Sequence, residues 1–328
     1  MEYTIIPYTP EYESSWDTFV QNTSANGTFL QTRRFLNYHP ADRFEDASLI
    51  VHNSKGVIVA IVPAASVSRN GLKVFVSHPG STYGGPVIHS AYTGAEKTIS
   101  IVRSINDYVS SNYSRAEFKL TPSLLCAREC CSLNYAFYYL GYSSWEELNT
   151  WTRTANDEVL FSELRQDKKH AYKKISKMGL VYKPLENLDD VAMFYHLLEN
   201  NLQKYAVKPV HTLEELMDFK CSRLTNETVF YGLWDKENLV AGSMSFYFKQ
   251  ANILHTQYLS ADLGITTYSP ATALYCYTML NAQNNHIQAI SWGISTEDHG
   301  HFINMGLVTN KEGYGCNHSV NYTYYKDF

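Results

Sequence analysis

His255, Glu297, His299 and Lys311 are the side chains toward the end of the chain whose types suit proton transfer and carbonyl polarisation. A histidine or carboxylate held against a reacting group takes a proton as general base, and a lysine supplies charge to a developing oxyanion. Tyr258 and Tyr314 carry hydroxyls able to protonate a leaving group. Each residue also has a plainer reading, as a surface carboxylate or a hydrogen-bonded core histidine.

Position decides between these readings, so the elements around the residues matter. Residues 253–259 read as a strand carrying His255 and Tyr258, followed by a polar loop and a helix from Pro270. Ser269 fits the helix cap and Pro270 its first turn. The free N–H groups of such an end attract anions, phosphate included, so the segment is either a simply capped helix or an anion site. Leu259, Ser260, Thr266, Thr267 and Ser269 are its candidate contacts. The next strand, 286–294, runs into Ser295-Thr296-Glu297-Asp298-His299-Gly300. Open α/β folds place ligands at the carboxyl ends of strands.

The remaining pattern alternates strands and helices, which implies an α/β chain. Strands are expected at 47–51, 57–62, 73–76 and 116–120, with a Gly-rich bend at 80–86. A helix at 95–110 is marked by Ile99, Val102, Ile105 and Val109. Residues 149–157 lack an apolar period and suggest a join, giving domains at 1–152 and 153–328. Past it, a helix is expected over 160–178, with Leu164, Ala171, Ile175 and Met178 on one stripe. Lys169, Lys173 and Lys177 recur on the opposite face, as a solvated face or a phosphate clamp. Helices at 189–205, 213–223 and 270–281, strands at 228–234, 239–248 and 319–325, and a short helix at 299–305 complete the reading.

The composition narrows the function classes. The 328 residues carry 27 basic and 32 acidic groups, a net charge of −5. No global basic field recruits nucleic acid; DNA is not expected, and any RNA needs a local patch. Six cysteines include no CxxC pair, so neither a disulfide framework nor a metal site is expected. Residues 1–10 show no secretory signal and no window is apolar for 18 residues, which implies a cytoplasmic chain without a membrane span.

The segment Trp292-Gly293-Ile294-Ser295-Thr296-Glu297 … Gly300 … Asn304-Met305-Gly306-Leu307 … Lys311-Glu312-Gly313-Tyr314-Gly315 resembles the C-terminal signature of FemAB-like members of the GNAT acyltransferase superfamily. Three earlier stretches agree in order: Phe29-Leu30-Gln31-Thr32, the bend from Gly80 to Pro86, and the basic run from Lys168 to Gly179. The resemblance implies two tandem GNAT-like domains facing a shared cleft, and transfer of an acyl group to an amine. It implies that the donor's arm lies in a gap between strands 253–259 and 289–294, with its pyrophosphate at the helix start near 267–270. His255 or Glu297 is then the base. Lys311 steadies the carbonyl or a substrate phosphate, and Tyr258 or Tyr314 is the acid. His39, Tyr83, Lys169, Lys173, His299, Asn304 and Tyr314 are the implied substrate contacts, His39 standing where Fem ligases tend to carry lysine.

The sequence also departs from the pattern. The tRNA-binding arm of some Fem ligases is absent, and Gly264 is the single glycine where GNAT enzymes carry a Gly-rich pyrophosphate loop. The first expectation is an acyl-CoA (acetyl-CoA) donor and a nucleotide-linked acceptor, an amine of a cell-envelope precursor made close to the membrane. An aminoacyl-tRNA-dependent peptidoglycan bridge ligase is the second. A degenerate GNAT scaffold that only binds a partner is the third, and none of the three requires a metal.

Overall fold

A computed structural model describes residues 3–40, 42–154, 157–204 and 206–328. In chain order the first part holds β1 (Tyr3–Pro7), α1 (Glu13–Thr18), α2 (Arg33–Leu36), β2 (Glu45–Asp46), β3 (Leu49–Asn53), β4 (Ile58–Val62), β5 (Ala65–Arg69), β6 (Leu72–Ser77), β7 (Val87–Ile88), α3 (Ala95–Asn112), β8 (Arg115–Lys119), α4 (Cys131–Tyr139) and β9 (Ser143–Arg153). The second part holds α5 (Asp157–Glu163), α6 (Gln166–Ile175), β10 (Val181–Pro184), α7 (Leu188–Gln203), α8 (Leu213–Asp218), β11 (Thr228–Asp235), β12 (Asn238–Phe248), β13 (Ile253–Ala261), α9 (Pro270–Asn284), β14 (Ala289–Ile294), β15 (Thr296–Glu297), β16 (Phe302–Ile303), α10 (Met305–Glu312) and β17 (Asn317–Asp327).

The chain divides into two compact units, Met1–Glu147 with Val320–Phe328, and Leu148–Ser319. Both chain crossings fall inside strands, β9 and β17, rather than in a linker. The sequence division at 152/153 differs by a few residues and by the end of β17, which goes with the first unit.

In the first unit, β1-β3-β4-β7 form one sheet, and β17, β8, β6, β5 and β2 are neighbours in that order in another. Parallel β6 and β8 are joined through α3, which buries Ile101, Val102, Ile105 and Val109 against Phe75 and Phe118. In the second unit the order is β10-β11-β12-β13-β14-β9, with only β13 and β14 parallel. Helix α9 supplies the crossover between them. It has no solvated stripe, because Tyr275, Cys276 and Met279 enter one cluster while Ala273 and Leu274 enter another.

Several expectations differ from the structure, and the reasons are local. The helix expected over 160–178 is two helices, because Arg165 adopts an extended backbone (φ −61°, ψ 151°) and its N–H donates to Gly313 O at 3.0 Å. The short helix expected over 299–305 is the hairpin of β15 and β16. Asp298, His299 and Gly300 all have positive φ (48°, 53° and 89°), which a continuing right-handed helix excludes. The supposed join at 149–157 begins inside β9; residues 155 and 156 of that span lie outside the described residues. The strand was hidden because Asn149, Thr150 and Thr152 are buried polar residues with partners, which erases the apolar alternation. The helix expected to reach residue 205 ends at Gln203, and Tyr205 lies outside the described residues. Among the described residues no helix is long and apolar enough to cross a membrane.

Candidate active site

Strands β13 and β14 pair in parallel at Ile253↔Ala289, Leu254↔Ile290 and His255↔Ser291, and no further. β13 continues to Ala261 beside β12 while β14 continues to Ile294 beside β9, so the two strands diverge beyond His255 and Ser291. Each carries an irregularity at the divergence. On β13 the register slips between Thr256 and Tyr258, leaving Gln257 as the extra residue. On β14 it slips between Ser291 and Ile294, where Gly293 takes φ 76°. Bulges of this kind bend a strand and re-aim its side chains.

His255 stands at the last paired position. Its Nδ1 lies 3.0 Å from Ser291 Oγ, and Ser291 Oγ donates to Asn149 Oδ1 at 3.2 Å. Asn149 Nδ2 donates onward to Ser319 Oγ at 3.1 Å. Because Asn149 Oδ1 only accepts, the serine proton points to it, and the serine oxygen accepts from His255 Nδ1–H. The other ring nitrogen, Nε2, is then the one with the lone pair. Burial, and next the Lys311 ammonium, push the imidazole down to about 4, so it is neutral at pH 7. Ser291→Ala is expected to cost about tenfold in kcat, a minor share of the ~10²–10⁴ that a positioned base contributes. Steady-state kinetics at pH 7 measure it.

Lys311 reaches into the same turn from α10. It is 3% exposed, and Nζ donates to Gly293 O, Ile294 O and Ser295 Oγ, each at 3.0 Å. Those bonds use all three ammonium protons, so Lys311 braces the β14 bulge and has no donor left for a carbonyl or substrate phosphate. Burial lowers its pKa to about 8. Thr150 Oγ1 adds a second donor to Gly293 O at 3.1 Å.

Tyr258 lies on the far side of the β13 bulge. Its hydroxyl is 2.7 Å from His211 Nδ1 and accepts the His211 backbone N–H at 3.3 Å. Burial raises its pKa to about 12, so it remains protonated at neutral pH. Tyr314, the alternative acid, is 1% exposed, donates to Thr272 Oγ1 at 3.1 Å, and stacks on Tyr275 at 4.3 Å. It is a core residue of the α9 packing.

The other expected contacts fall in several places. Glu297 and His299 are exposed on the β15–β16 hairpin. Glu297→Gln is therefore expected to leave turnover roughly unchanged in the same assay. Asn304 caps α10, accepting Leu307 N–H at 3.0 Å. Ser260 is buried against α7, donating to Leu197 O and accepting from Asn201 Nδ2. Leu259 packs on the α9 clusters. Thr266, Thr267 and Ser269 are exposed at the start of α9, and Ser269 Oγ accepts Thr272 N–H at 3.2 Å. Lys169 donates to Ser162 O at 2.8 Å, and Lys173 is exposed.

In the first unit, His39 is buried among Tyr38, Phe44 and His78. Tyr83 is 1% exposed with its hydroxyl 3.0 Å from Thr28 Oγ1. Both sit in the packing around the Gly80–Pro86 bend, where a Cβ on Gly84 would stand 2.4 Å from the backbone of Ser77 and His78. Sequence reasoning missed Ser291, Asn149, His211 and Lys174, the last of which donates to Thr267 O at 2.7 Å. Their partners are distant in sequence: Asn149 and Ser291 meet only once β9 and β14 are neighbours, while His211 and Lys174 reach Tyr258 and Thr267 from other segments.

No family model and no curated protein matches the sequence. Solved structures do. FemX is similar over 100% of this chain and 98% of its own, with a TM-score of 0.70 at 10% identity. L-PGS from Bacillus licheniformis is similar over 98% and 92%, with 0.60 at 12% identity. A tandem GNAT protein from the clavulanic acid biosynthesis pathway is similar over 99% and 98%, with 0.52 at 10% identity. At such identities the likeness speaks for the fold. It agrees with the two α/β units: the chain has a fold similar to that of FemX and of the tandem GNAT protein.

Proposed function

We propose that the chain is an N-acyltransferase that moves an acyl group from an acyl-CoA-type thioester to an amine of a cell-envelope precursor such as a nucleotide-linked amino sugar. The observation that carries this reading is the divergence of β13 and β14 immediately beyond His255 and Ser291. It leaves edge backbone for an extended arm to pair with, beside an imidazole oriented through Ser291 and Asn149. The start of α9 suits the anionic end of such a donor. Its backbone N–H groups carry partial positive charge, and Lys174 brings a cation to Thr267.

The chemistry follows from the placement. The amine attacks the thioester carbonyl, and the new N–C bond makes the nitrogen acidic. A neutral imidazole with a pKa near 4 accepts that proton, although it is too weak a base to deprotonate a free ammonium group beforehand. Collapse of the tetrahedral species breaks the C–S bond, and the departing sulfur takes a proton from Tyr258.

Transfer from aminoacyl-tRNA is the second reading. It is favoured by similarity to a domain whose name, lysylphosphatidylglycerol synthetase, points to transfer of an aminoacyl group, from Agrobacterium fabrum, with a TM-score of 0.63 at 10% identity. One experiment separates the readings: calorimetry with acetyl-CoA, followed by mass-spectrometric assay of UDP-glucosamine with acetyl-CoA or with charged tRNA. Binding and product with acetyl-CoA support the first reading. Product with charged tRNA alone supports the second, and neither binding nor product points to a scaffold.

A further inference from the structure

Register places two hydrogen-bonded dyads on one face of the second unit's sheet. His255 is opposite Phe246 on β12, and Tyr258 is opposite Met244. Phe246 and Met244 are two residues apart on a strand, so they share a face, and so do their partners across the ladder. Without the extra residue Gln257, His255 and Tyr258, three apart, would face opposite ways. The bulge therefore puts a base and an acid on the same side of β13.

The acid has a specific anchor. His211 lies between α7 and α8, is 5% exposed, and is fixed on several sides. Its carbonyl accepts from Tyr195 at 3.3 Å, and its ring meets Phe219 edge-on at 5.3 Å. The following Thr212 starts α8 with a reciprocal cap to Glu215. From this position the His211 backbone N–H and Nδ1 both address the Tyr258 hydroxyl oxygen.

On the acyl-transfer reading above, we propose that His211 is the positioning residue for Tyr258, donating both its backbone N–H and its Nδ1–H to the phenol oxygen so that the phenol proton points to the leaving group. The Gln257 side chain and the Val210 backbone also lie against the phenol, but the two bonds from His211 occupy the oxygen's lone pairs, and the O–H is left to donate outward. When the C–S bond breaks, the sulfur takes that proton. The phenolate left behind is held by the same two donors, and it recovers a proton through solvent, balancing the one His255 accepted from the amine. The opposite arrangement, with a bare Nδ1, would turn the phenol proton toward His211 and away from the reaction.

Two measurements decide it. Nitrogen-resolved NMR of the histidine rings, assigned by loss of one signal set in His211→Phe, is expected to show Nδ1 protonated in the wild type. A bare Nδ1 overturns the proposal with or without turnover. Kinetics with UDP-glucosamine then compare acetyl-CoA with S-acetyl-4-nitrothiophenol, whose thiolate needs no proton to leave. His211→Phe and Tyr258→Phe are each expected to lose about 10²-fold in kcat with acetyl-CoA, and little with the aryl thioester. The double variant is expected to lose no more than either single one. Equal losses on both donors mean a structural role and overturn the proposal. If the wild type uses neither donor, the acyl-transfer reading itself falls, and this acid role with it.

Discussion

His255→Ala is expected to lower kcat by about 10²–10⁴-fold, with little change in the affinity for acetyl-CoA. The ring is the only side chain at the last paired position of β13 and β14 that can take a proton, and Ser291 with Asn149 fixes which nitrogen does so. On the proposed reading the effect belongs to kcat, because backbone and the start of α9 would hold the donor's arm. The pH profile gives an independent check. With its pKa near 4, His255 is already neutral over the working range, so beyond the acceptor amine's own ionisation it should lower wild-type kcat/KM only as pH drops toward about 4. The same shift bears on stability. The folded pKa lies below the unfolded value of about 6.5, so the unfolded chain binds the proton first. Stability is therefore full above about 6.5 and declines as pH falls toward about 4. A fall in kcat/KM centred near 6.5 that stays in place when the acceptor amine's pKa is changed would place the working base elsewhere, and unchanged kcat in His255→Ala would remove it from the mechanism.

Lys311→Met should act on the fold and the chemistry together. It leaves Ile294 O and Ser295 Oγ without their donor, while Gly293 O keeps Thr150. Orphaned buried polar groups cost about 1–3 kcal/mol each, so the loss of two should be about 2–6 kcal/mol by denaturant titration at pH 7. The β14 bulge would also relax, and turnover should fall with it. Lys311→Gln separates charge from bracing, because an amide still donates. Removing the ammonium removes the charge that helps depress His255, so the acidic limb of kcat/KM should move up from about 4. The native lysine has its own window. Its folded pKa, about 8, lies below the unfolded value of about 10.4. The unfolded chain then holds more protons between those values, so this residue makes stability rise with pH across that interval. A Lys311→Gln profile superimposable on the wild type would mean that Lys311 and His255 are not coupled.

Much of the architecture was written in apolar spacing. The stripe through Val102, Ile105 and Val109 marked α3, and Ser269 with Pro270 marked the start of α9. Both signals are local, and short-range physics decides them. The Phe29–Thr32 element was legible as a motif, but its chemistry was not. In the folded chain Gln31 accepts Thr28 N–H at 2.7 Å and donates to Thr121 at 2.6 Å, which is bracing rather than binding. His39 and Tyr83 follow the same course into the first unit's packing.

Local residue patterns set the alternation of strands and helices, the strand carrying His255 and Tyr258, and the capped helix after it. These depend on residues within a turn or two of one another. Which polar groups work together was set by long-range packing. Asn149 reaches Ser291 across 142 positions, Lys311 reaches back to the β14 bulge, and His211 meets Tyr258 from another segment. Hydrogen bonds act over about 3 Å in space whatever the separation along the chain. A single inserted residue, Gln257, turns Tyr258 to the face of His255. Side-chain direction in a strand has a period of two, so one bulge reverses it, and that bulge exists only in the pairing with β12.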